Sequence, residues 1–379
     1  MNTKLSWIIL LTISSILVFS AVATAKQDKG KRVIAHSTEE VAAALAQGCT
    51  IARETRGMTA LICPESTATA LGLQEDILMF AMDSGANTQI KASLVQSSGN
   101  TGAGRKIAIL DSGYNYNHPE LSSSYLGGKD FVNNDNDPMD DNNHGSHVAG
   151  IITADGIDPK AKGAAPNAGI VSAKVLDAQG SGYFSDSVAA IYWAVDGPDG
   201  VYGTGDEAGV DAISMSLGSS SPYVYKSTCD TVMPDMKTAI DYARSKGVLV
   251  VVAAGNSGNA GVSIPGCISS ATTVGAVDKL DKIASFSGRG SSVDVTAPGV
   301  SLWSSVLGTN YASYSGTSMA TPVVSGTVAL IKAAHPGYSA SQTETSLTKT
   351  AKDLGKAGKD NNFGYGRVDA QAATTYNAP

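Results

Sequence analysis

The amino-acid sequence predicts an α/β protein in which a parallel sheet, covered by helices on both faces, follows a small α+β domain. Apolar segments such as VLVVVAAG do not alternate with polar residues, which is typical of strands buried on both faces. Amphipathic segments such as DMKTAIDYARSKG lie between them and favour crossover helices. A separate β-α-β-β-α-β pattern precedes this alternation.

The first stretch of the chain, MNTKLSWIILLTISSILVFSAVATA, indicates a secretory signal peptide. Its apolar run is too short to span a bilayer comfortably, and it ends in the Ala-x-Ala pattern of Ala23 and Ala25. An uncleaved anchor is the alternative, but KQDKGKR follows instead of more apolar sequence. We therefore predict residues 1–25 as signal peptide and a secreted product, extracellular or periplasmic.

Residues 26–82 are predicted to form the small domain. KRVIAH favours a strand, STEEVAAALAQG a capped helix, TIARETRG and MTALICP two strands, ESTATALGLQ a helix and DILMF a strand. This order is that of a ferredoxin-like α+β domain. The polar stretch DSGANTQIKASLVQSSGNTG then marks the boundary with the large domain, residues 83–379.

Composition and charge limit the classes of partner. The chain has 379 residues, of which 42% are hydrophobic, so it can bury a large core. Its formal net charge is −7, its pI is about 5.2, and it has no run of Lys or Arg. These values argue against nucleic acid or an anionic membrane as a partner.

Export makes disulfides possible, and the four cysteines allow more than one pairing. Cys49 and Cys63 flank one hairpin-like stretch, whereas Cys229 and Cys267 both lie far downstream. We predict one disulfide within each region. No Cys-x-x-Cys spacing indicates zinc.

Four polar residues stand at the ends of apolar elements in the large domain. Asp111 follows KIAIL, His144 begins the helix in HGSHVAG, Asn256 follows VLVVVAAG, and Ser318 lies in YSGTSMATP before a helix. Taken singly, each is ordinarily a turn or capping residue. The carboxyl ends of parallel strands lie at one edge of a sheet, so we expect the four to lie close together.

Together these residues supply what acyl transfer to a serine requires. Ser318 offers a hydroxyl, His144 an imidazole to take its proton, and Asp111 a carboxylate to orient that imidazole. Asn256 offers a donor to the oxyanion, and the helix start at Ser318 adds its own N–H and the helix dipole. The sequence therefore predicts Ser318 as the nucleophile.

The motifs ILDSG, HGSHVAG, SMSLG, AAGNSG and GTSMATP resemble, in this order, those of the subtilisin-like serine proteases. The resemblance covers roughly Gln89 to Ala373, and the small domain resembles the family's inhibitory propeptide. It implies a subtilisin-like sheet and a secreted serine endopeptidase that works through an acyl-enzyme and is made as a self-processing zymogen. Val323 departs from the family, which commonly has His there, and HGSH replaces HGTH, but no catalytic group is lost.

The resemblance also implies a substrate groove between two strand edges, GSGYF and SLG. Gly182 is expected to keep one edge open, while Phe184 and Leu217 wall an apolar pocket; the alternative is that Phe184 is a core residue. No acid is evident in AAGN or SIPG, which predicts broad specificity for apolar side chains before the cleaved bond. The predicted substrate-binding residues are Leu176, Gly180, Gly182, Phe184, Ser216, Leu217, Gly218 and Gly255.

Two acidic loops are candidates for structural calcium. DFVNNDNDPMDDNNHG would gather oxygens from Asp130, Asn133, Asp135, Asp137 and the carbonyl of Met139. The second loop, with Asp196, Asp199, Asp206 and Glu207, resembles a shortened calcium loop of some relatives. A solvated loop is the alternative for each. At a more widespread family site, ADGIDPKAKG has Ile157 and Pro159 at ligand positions, although Glu120 could still contribute.

Self-processing is predicted between Met82 and Asp83, where the resemblance aligns landmarks on both sides of the junction. Met82 would enter the apolar primary pocket. The expected partners are protein or peptide substrates and the chain's own propeptide, with no nucleic acid, no membrane after signal cleavage, and a monomeric enzyme. A catalytically inactive binding protein on the same scaffold is the rival, and an acid-active relative with a Glu base is disfavoured by His144.

Overall fold

The computed structural model of the chain describes residues 30–81 and 92–379. The predicted signal peptide and the predicted cleavage point at Met82 and Asp83 lie outside these residues. No helix in the two described ranges is long and apolar enough to cross a membrane.

The small N-terminal unit, residues 30–81, has the predicted order of elements with one additional strand. The elements are β1 (Lys31–Ala35), α1 (Thr38–Ala46), β2 (Thr50–Thr55), β3 (Met58–Cys63), α2 (Glu65–Leu71), β4 (Gln74–Glu75) and β5 (Leu78–Ala81). The antiparallel sheet of the unit has the strand order β2-β3-β1-β4, and its short strand β4 was not predicted. The predicted strand DILMF corresponds to β5, which pairs with strands outside this sheet.

The core of this unit is small. Ser37 caps α1 by accepting a bond from the Glu40 N–H, as the capping pattern predicts. Cys49 and Cys63 form the predicted disulfide, with their Cα atoms 4.2 Å apart. Because a unit of this size buries little apolar surface, the disulfide is a substantial part of what holds it together. The buried residues that form this unit's own core cluster are Val33, Ala35, Ala44, Cys49, Leu61, Cys63 and Ala68.

The large unit follows, and its elements alternate as the sequence predicts. They are α3 (Ala92–Ser97), β6 (Lys106–Asp111), β7 (Tyr125–Asp130), α4 (His144–Thr153), β8 (Gly169–Lys174), β9 (Ser181–Tyr183), α5 (Phe184–Asp196), β10 (Ala212–Met215), β11 (Leu217–Gly218), β12 (Val224–Tyr225), α6 (Pro234–Ser245), β13 (Leu249–Ala253), a 3-10 turn (Gly258–Ala260), β14 (Val262–Ser263), β15 (Thr272–Val277), β16 (Val295–Pro298), β17 (Leu302–Ser305), β18 (Tyr311–Tyr314), α7 (Thr317–Ala334), α8 (Ala340–Lys349) and α9 (Ala370–Thr375).

The central sheet has seven parallel strands in the order β16-β15-β13-β10-β6-β8-β7. Successive residues of its strands point to opposite faces: Leu110 packs with α5 and α6, and Ile109 with α4 and α7. The predicted parallel sheet with helices on both faces is thereby confirmed. Because β6, β10 and β13 are neighbours, whatever follows their carboxyl ends lies at one edge.

The second predicted disulfide is also present. Cys229 and Cys267 have Cα atoms 5.3 Å apart, and the Cys229 N–H donates to the Cys267 carbonyl at 2.9 Å. Both side chains are buried in the core beneath α6. The bond ties the segment after β12 to the segment after β14.

Candidate active site

Asp111 and His144 are in direct contact at the carboxyl end of β6. Asp111 is the last residue of that strand and His144 the first of α4, and each is 1% exposed. The His144 Nδ1 and the Asp111 Oδ1 are 2.7 Å apart. A carboxylate bonded to Nδ1 fixes the tautomer that has its lone pair on Nε2, so that nitrogen can accept a proton.

A network that sequence reasoning missed holds the start of α4 against β6. Asp140 is buried and accepts bonds from the Ser112 Oγ at 2.8 Å, the Ser146 N–H at 2.9 Å and the Ser146 Oγ at 2.5 Å. The Ser112 Oγ also accepts from the Gly145 N–H at 2.9 Å. These bonds fix His144 relative to Asp111. Only the first acid of MDD, which lies four residues before a helix-initial His, could have indicated this network.

Ser318 lies in the first turn of α7, which packs against α4. It is fully buried, and its Oγ donates to the carbonyl of Ser216 at 3.1 Å, while the Ser216 Oγ donates back to the Ser318 carbonyl at 2.9 Å. Ser216 follows β10 directly. The reciprocal bonds therefore attach the start of α7 to the edge of the sheet that carries Asp111.

Asn256 follows β13 and faces the same helix start. Its Oδ1 accepts from the Thr317 N–H at 3.0 Å and from the Thr317 Oγ1 at 3.1 Å. Thr317 in turn accepts from the Gly255 N–H at 3.1 Å. Because the carbonyl oxygen of the amide is used in this way, its NH₂ group is the part that remains to act as a donor. All four predicted residues thus lie at the predicted edge, although their roles stay predictions.

A second histidine on α4, His147, was not singled out from the sequence. It is fully buried, its Nε2 lies 3.1 Å from the carbonyls of both Leu302 and Ala312, and its ring stacks on Tyr314 at 4.4 Å. Burial, and then the neighbouring His144, lower the pKa of His147 to about 3, although the bonded carbonyls act in the opposite direction. The neutral ring therefore joins α4 to the β17–β18 hairpin, which leads directly into α7.

The backbone of β5 lies between the two strand edges that were predicted to form the groove. Leu217 pairs with Ala81 and Gly218 with Phe80, both antiparallel. On the other side Met79 pairs with Gly182. The last strand of the N-terminal unit is therefore the central strand of a three-stranded sheet, in the order β11-β5-β9.

Two of the predicted groove glycines are required by close approach. A Cβ on Gly182 would lie 2.0 Å from the Val175 carbonyl, so this glycine lets β9 pack on the neighbouring chain and does more than keep an edge open. Gly255 has φ +86°, and a Cβ there would lie 2.1 Å from the Ser263 Oγ. Either substitution would move a wall of the groove.

Phe184 is fully buried in the same core cluster as Leu176 and Leu217. It begins α5, and Ile77 of the N-terminal unit belongs to the same cluster. The alternative that Phe184 is a core residue is thus the one the structure shows. Contact of Phe184 and Leu217 with a substrate side chain stays a prediction, as does substrate binding by Gly180 at the start of β9.

In the loop predicted as the first calcium site, the buried Asp130 bonds to its own loop. The Asp130 carboxylate accepts from the backbone N–H groups of Val132 and Asn133 at 2.7 and 2.9 Å, and from the Asn133 amide at 2.8 Å. Asp135 and Asp137 are exposed. Within residues 30–81 and 92–379, no three His, Cys, Asp or Glu side chains gather as a metal site. The predicted ligands, including Met139, therefore share a loop without forming a preformed cage.

The second predicted calcium loop is organised by other cations and donors. Asp196 is 1% exposed and bonds to the Arg56 guanidinium at 2.9 Å and to the Tyr242 hydroxyl at 2.5 Å. Asp206 accepts from the Asp199 N–H at 3.1 Å, and Glu207 accepts from backbone N–H groups of its own turn. The four acids do not converge, because Asp196 faces the N-terminal unit.

Glu120 occupies the place where the more widespread family site was doubted. It is fully buried, and its carboxylate accepts from the N–H groups of Gly156 at 2.6 Å, Ile157 at 3.0 Å and Asp158 at 2.6 Å. The Tyr311 hydroxyl donates to it at 2.9 Å. Burial, and then the bond to Glu120, raise the pKa of Tyr311 to about 12. This segment presents N–H donors to a carboxylate and not oxygens to a cation.

Comparison with known proteins gives one consistent result. The sequence profile of the subtilase family matches residues 102–366. A thermophilic serine proteinase of Bacillus sp. (strain AK1) is 40% identical over 275 residues, which are 72% of this chain and 62% of that protein. Subtilisin E of Bacillus subtilis (strain 168) is 40% identical over 293 residues, 76% of this chain and 70% of that protein. Subtilisin Savinase of Lederbergia lenta is 39% identical over 287 residues, 76% of this chain and 97% of that protein.

The order of the polar motifs, the parallel sheet that brings them to one edge and these matches agree with one another. With a family profile over most of the chain and relatives at about 40% identity, the chain belongs to the subtilase family, whose members are serine endopeptidases.

Proposed function

We propose that this protein is a secreted serine endopeptidase that is made as a zymogen and cuts itself free of its N-terminal unit. The observation that carries the proposal is the backbone of β5, which lies between β9 and β11 as a substrate would. Ala81, the last described residue of β5, pairs with Leu217, and the neighbouring Ser216 is bonded to Ser318. No second function is favoured by a specific contact.

The chemistry is nucleophilic attack by the Ser318 Oγ on a peptide carbonyl. His144 takes the hydroxyl proton at Nε2 and later gives it to the leaving amine. Asp111, at 2.7 Å from Nδ1, keeps the ring oriented and stabilises its cationic form. The acyl-enzyme is then hydrolysed by water through the same groups in reverse.

The oxyanion that forms in each step is held by the Asn256 amide and the Ser318 N–H. Two bonds from Thr317 fix the Asn256 Oδ1, and this leaves the amide N–H groups for the negative oxygen. Ser318 lies in the first turn of an 18-residue helix, whose dipole adds positive potential at the same point. These donors are held in place before the reaction begins, which is what makes them effective.

The register of β5 supports the predicted cleavage point. Ala81 lies opposite Leu217, so a chain that continued in the same extended register would have residue 82 opposite Ser216. Ser216 is bonded to Ser318 by both its carbonyl and its hydroxyl. The bond between Met82 and Asp83 would then meet the nucleophile.

After cleavage, the N-terminal unit, with residues 26–82, would remain bound as an inhibitor. Its last strand already has the pairing of a bound product, so little ordering cost opposes rebinding. Asp76 strengthens the attachment by accepting from the Ser185 N–H at 3.0 Å and its Oγ at 2.6 Å, at the start of α5. Apolar side chains before the cleaved bond are preferred in substrates, because AAGN and SIPG offer no acid.

Members of the subtilase family commonly bind calcium, and we propose the loop of residues 130–139 as the binding region in this chain. Its exposed Asp135 and Asp137, together with Asn133, are the oxygens best able to reorganise around a hard cation. Calcium would then add to thermal stability. Identical melting temperatures in calcium and in chelator would mean that the loop is only solvated.

The proposal is tested by Ser318→Ala in the full precursor. The variant should stay at precursor size and show no turnover of a chromogenic peptide, because one nucleophile serves both reactions. Ser325→Ala is the matched control, since Ser325 is buried on the same helix and bonds to Ser214 at 2.8 Å. It should process and turn over substrate.

Three further measurements decide the details. Mature-length protein from purified Ser318→Ala, with no other protease present, would contradict self-processing. N-terminal sequencing of freshly matured parent protein should give Asp83, and a start outside residues 80–86 would overturn the register. Turnover by the parent that a serine-directed acylating inhibitor abolishes distinguishes an enzyme from an inactive binding protein.

A further inference from the structure

Arg56, at the turn between β2 and β3, inserts its guanidinium into a site on the large unit. Its Nη2 bonds to the Asp196 carboxylate at 2.9 Å and to the Gly200 carbonyl at 3.0 Å. Its Cζ lies 5.2 Å from the Tyr192 ring centre and 4.9 Å from that of Tyr242. Two ring faces, a carboxylate and a carbonyl therefore surround one planar cation.

The receiving groups belong to the large unit alone. Tyr192 and Asp196 are four residues apart on α5 and so share one face of that helix. Tyr242 lies on α6, its ring is 5.4 Å from that of Tyr192, and its hydroxyl donates to the Asp196 Oδ1 at 2.5 Å. The Tyr242 hydroxyl orients the carboxylate so that its other oxygen faces the guanidinium.

The site is more than an exposed ion pair. The Arg56 side chain is 48% exposed, but that of Asp196 is only 1% exposed. Surface ion pairs contribute little, whereas a buried carboxylate that loses its cation is left desolvated and unpaired. In the intact chain Arg56 is one of the groups that cover the Asp196 carboxylate. Departure of Arg56 would therefore leave this carboxylate without its cation, beside two ring faces that favour one.

The chemistry favours guanidinium over ammonium or a metal ion. A guanidinium is planar and weakly hydrated, so it can lie against rings while its edge bonds to a carboxylate and a carbonyl. A second arginine of the N-terminal unit contacts the large unit in the same way. The Arg32 Cζ lies 4.0 Å from the centre of the Tyr183 ring, and its guanidinium pairs with Asp186 at 3.0 Å. A metal ion would gain nothing from the two tyrosine rings.

We propose that Tyr192, Asp196, the Gly200 carbonyl and Tyr242 form a guanidinium-binding site of the large unit. Arg56 fills it in the intact chain. Once the N-terminal unit has left, the site binds an arginine side chain of another polypeptide, outside the substrate groove. This second part rests on the proposed self-processing, whereas the first does not.

The first experiment uses the full chain with Ser318→Ala, so that proteolysis cannot intervene. Arg56→Ala removes the side chain from Cγ outward, and ethylguanidinium replaces those atoms. We expect Arg56→Ala to lower the melting temperature, and millimolar ethylguanidinium to restore part of the loss in a saturable way. Ethylammonium and calcium should not restore it. Lys31→Ala, which empties an exposed pair with Glu75 inside the small unit, is the control that should not respond.

The double variant Arg56→Ala/Asp196→Asn should lose the response to ethylguanidinium. If it does not fold, Arg56→Ala/Tyr242→Leu replaces it, because the ring and the hydroxyl that orients Asp196 are both removed. A response that is equal for ethylammonium, equal in the double variant or absent from Arg56→Ala overturns the site. None of these outcomes depends on proteolytic activity.

The second experiment uses processed enzyme blocked at its serine by an acylating inhibitor. N-acetyl-arginine amide should raise its melting temperature, whereas the neutral, isosteric N-acetyl-citrulline amide should not. Equal effects of the two ligands would overturn the role in the processed enzyme. If no processed enzyme forms, the proposed function fails, and the first experiment still decides the site.

Discussion

Two histidines lie one turn apart on α4, equally buried, and their surroundings prepare them for opposite uses. His144 faces a carboxylate at 2.7 Å, whereas His147 faces two backbone carbonyls at 3.1 Å and a tyrosine ring. A carboxylate stabilises a protonated imidazole, which is what the proposed role of His144 as general base requires. Uncharged carbonyls in a dry interior do not provide that charge, and His147 stays neutral.

The comparison shows that partner chemistry, and not burial alone, decides what a buried histidine does. His147 bonds α4 to the β17–β18 hairpin, and this hairpin leads directly into α7. His144 would thus keep its distance from Ser318 because its neighbour does not titrate. Four substitutions test this comparison, from the largest expected effect to the smallest.

Replacing His144 should cause the largest loss. We expect His144→Ala to lower kcat by about 10⁶-fold, because no other group at the site takes the Ser318 proton. The measurement is single-turnover hydrolysis of a peptide ester or amide substrate, with folding checked by near-UV circular dichroism. A loss of less than a hundredfold (about 2.7 kcal/mol) would remove His144 from the role of general base.

Asp111→Asn should come next. An amide at this position keeps the shape but favours the wrong tautomer of His144, and we expect kcat to fall by about 10⁴-fold. Asp278→Asn is the matched control, because Asp278 also follows a strand of the sheet but only accepts turn N–H groups, from Leu280 at 2.8 Å and Lys282 at 3.0 Å. Similar losses in the two variants would mean that Asp111 acts only as a turn residue.

His147→Gln should act on stability and its dependence on pH. The pKa of His147 is about 3 in the folded chain and near 6.5 when unfolded, so between these values the unfolded chain binds the extra proton. His147 therefore opposes folding more strongly as the pH falls from 6.5 towards 3, by about 1.4 kcal/mol per pH unit, and not at all above 6.5. Glutamine keeps an N–H donor but cannot titrate.

Urea unfolding of the inactive Ser318→Ala chain, with and without His147→Gln, measures this slope. The difference in stability between the two chains should shrink or reverse as the pH is lowered from 7 to 4. Parallel pH profiles would mean that His147 binds a proton as readily in the folded chain as in the unfolded one, and the contrast with His144 would then be lost.

Tyr314→Leu should have the smallest effect. It removes the ring stacked on His147, and we expect the free energy of unfolding to fall by about 0.5–1.5 kcal/mol beyond the effect of the lost buried area. We also expect a lower kcat, because the hairpin that carries Tyr314 leads into α7. Tyr338→Leu is the matched control, since Tyr338 stacks on His335 at the same 4.4 Å but far along the chain. Equal changes in kcat in both variants would deny His147 a positioning role.

Much of this arrangement follows from sequence alone, for a physical reason. Doubly buried strands read as unbroken apolar runs, so the sheet and the edge carrying Asp111, Asn256 and Ser318 were predictable. The disulfides followed from the order of the cysteines along the chain. The partners of His147 were not predictable, because Leu302 and Ala312 contribute only backbone carbonyls, and every residue type has one.

The partners of the acidic loops were likewise not predictable from the sequence. The sequence predicted calcium at Asp196, whereas the partner of Asp196 in the structure is Arg56, which is far away in sequence and on another unit. Asp130 bonds to its own loop, which composition cannot distinguish from coordination of an ion. Sequence identifies where charge collects, whereas long-range packing decides what neutralises it.

Glu120 holds the loop at residues 156–158 with a carboxylate that belongs to the same chain, and not with an ion taken from solution. An ion holding the loop at residues 156–158 would dissociate, and the order of the loop would follow how much of that ion the surroundings supply. A carboxylate on the same chain is held at the site by the fold itself, so dilution and chelation leave it in place. The loop should release only when the segment around residue 120 or the β17–β18 hairpin, which supplies Tyr311, opens. Its lifetime is thereby set by unfolding kinetics and not by the salt composition of the medium.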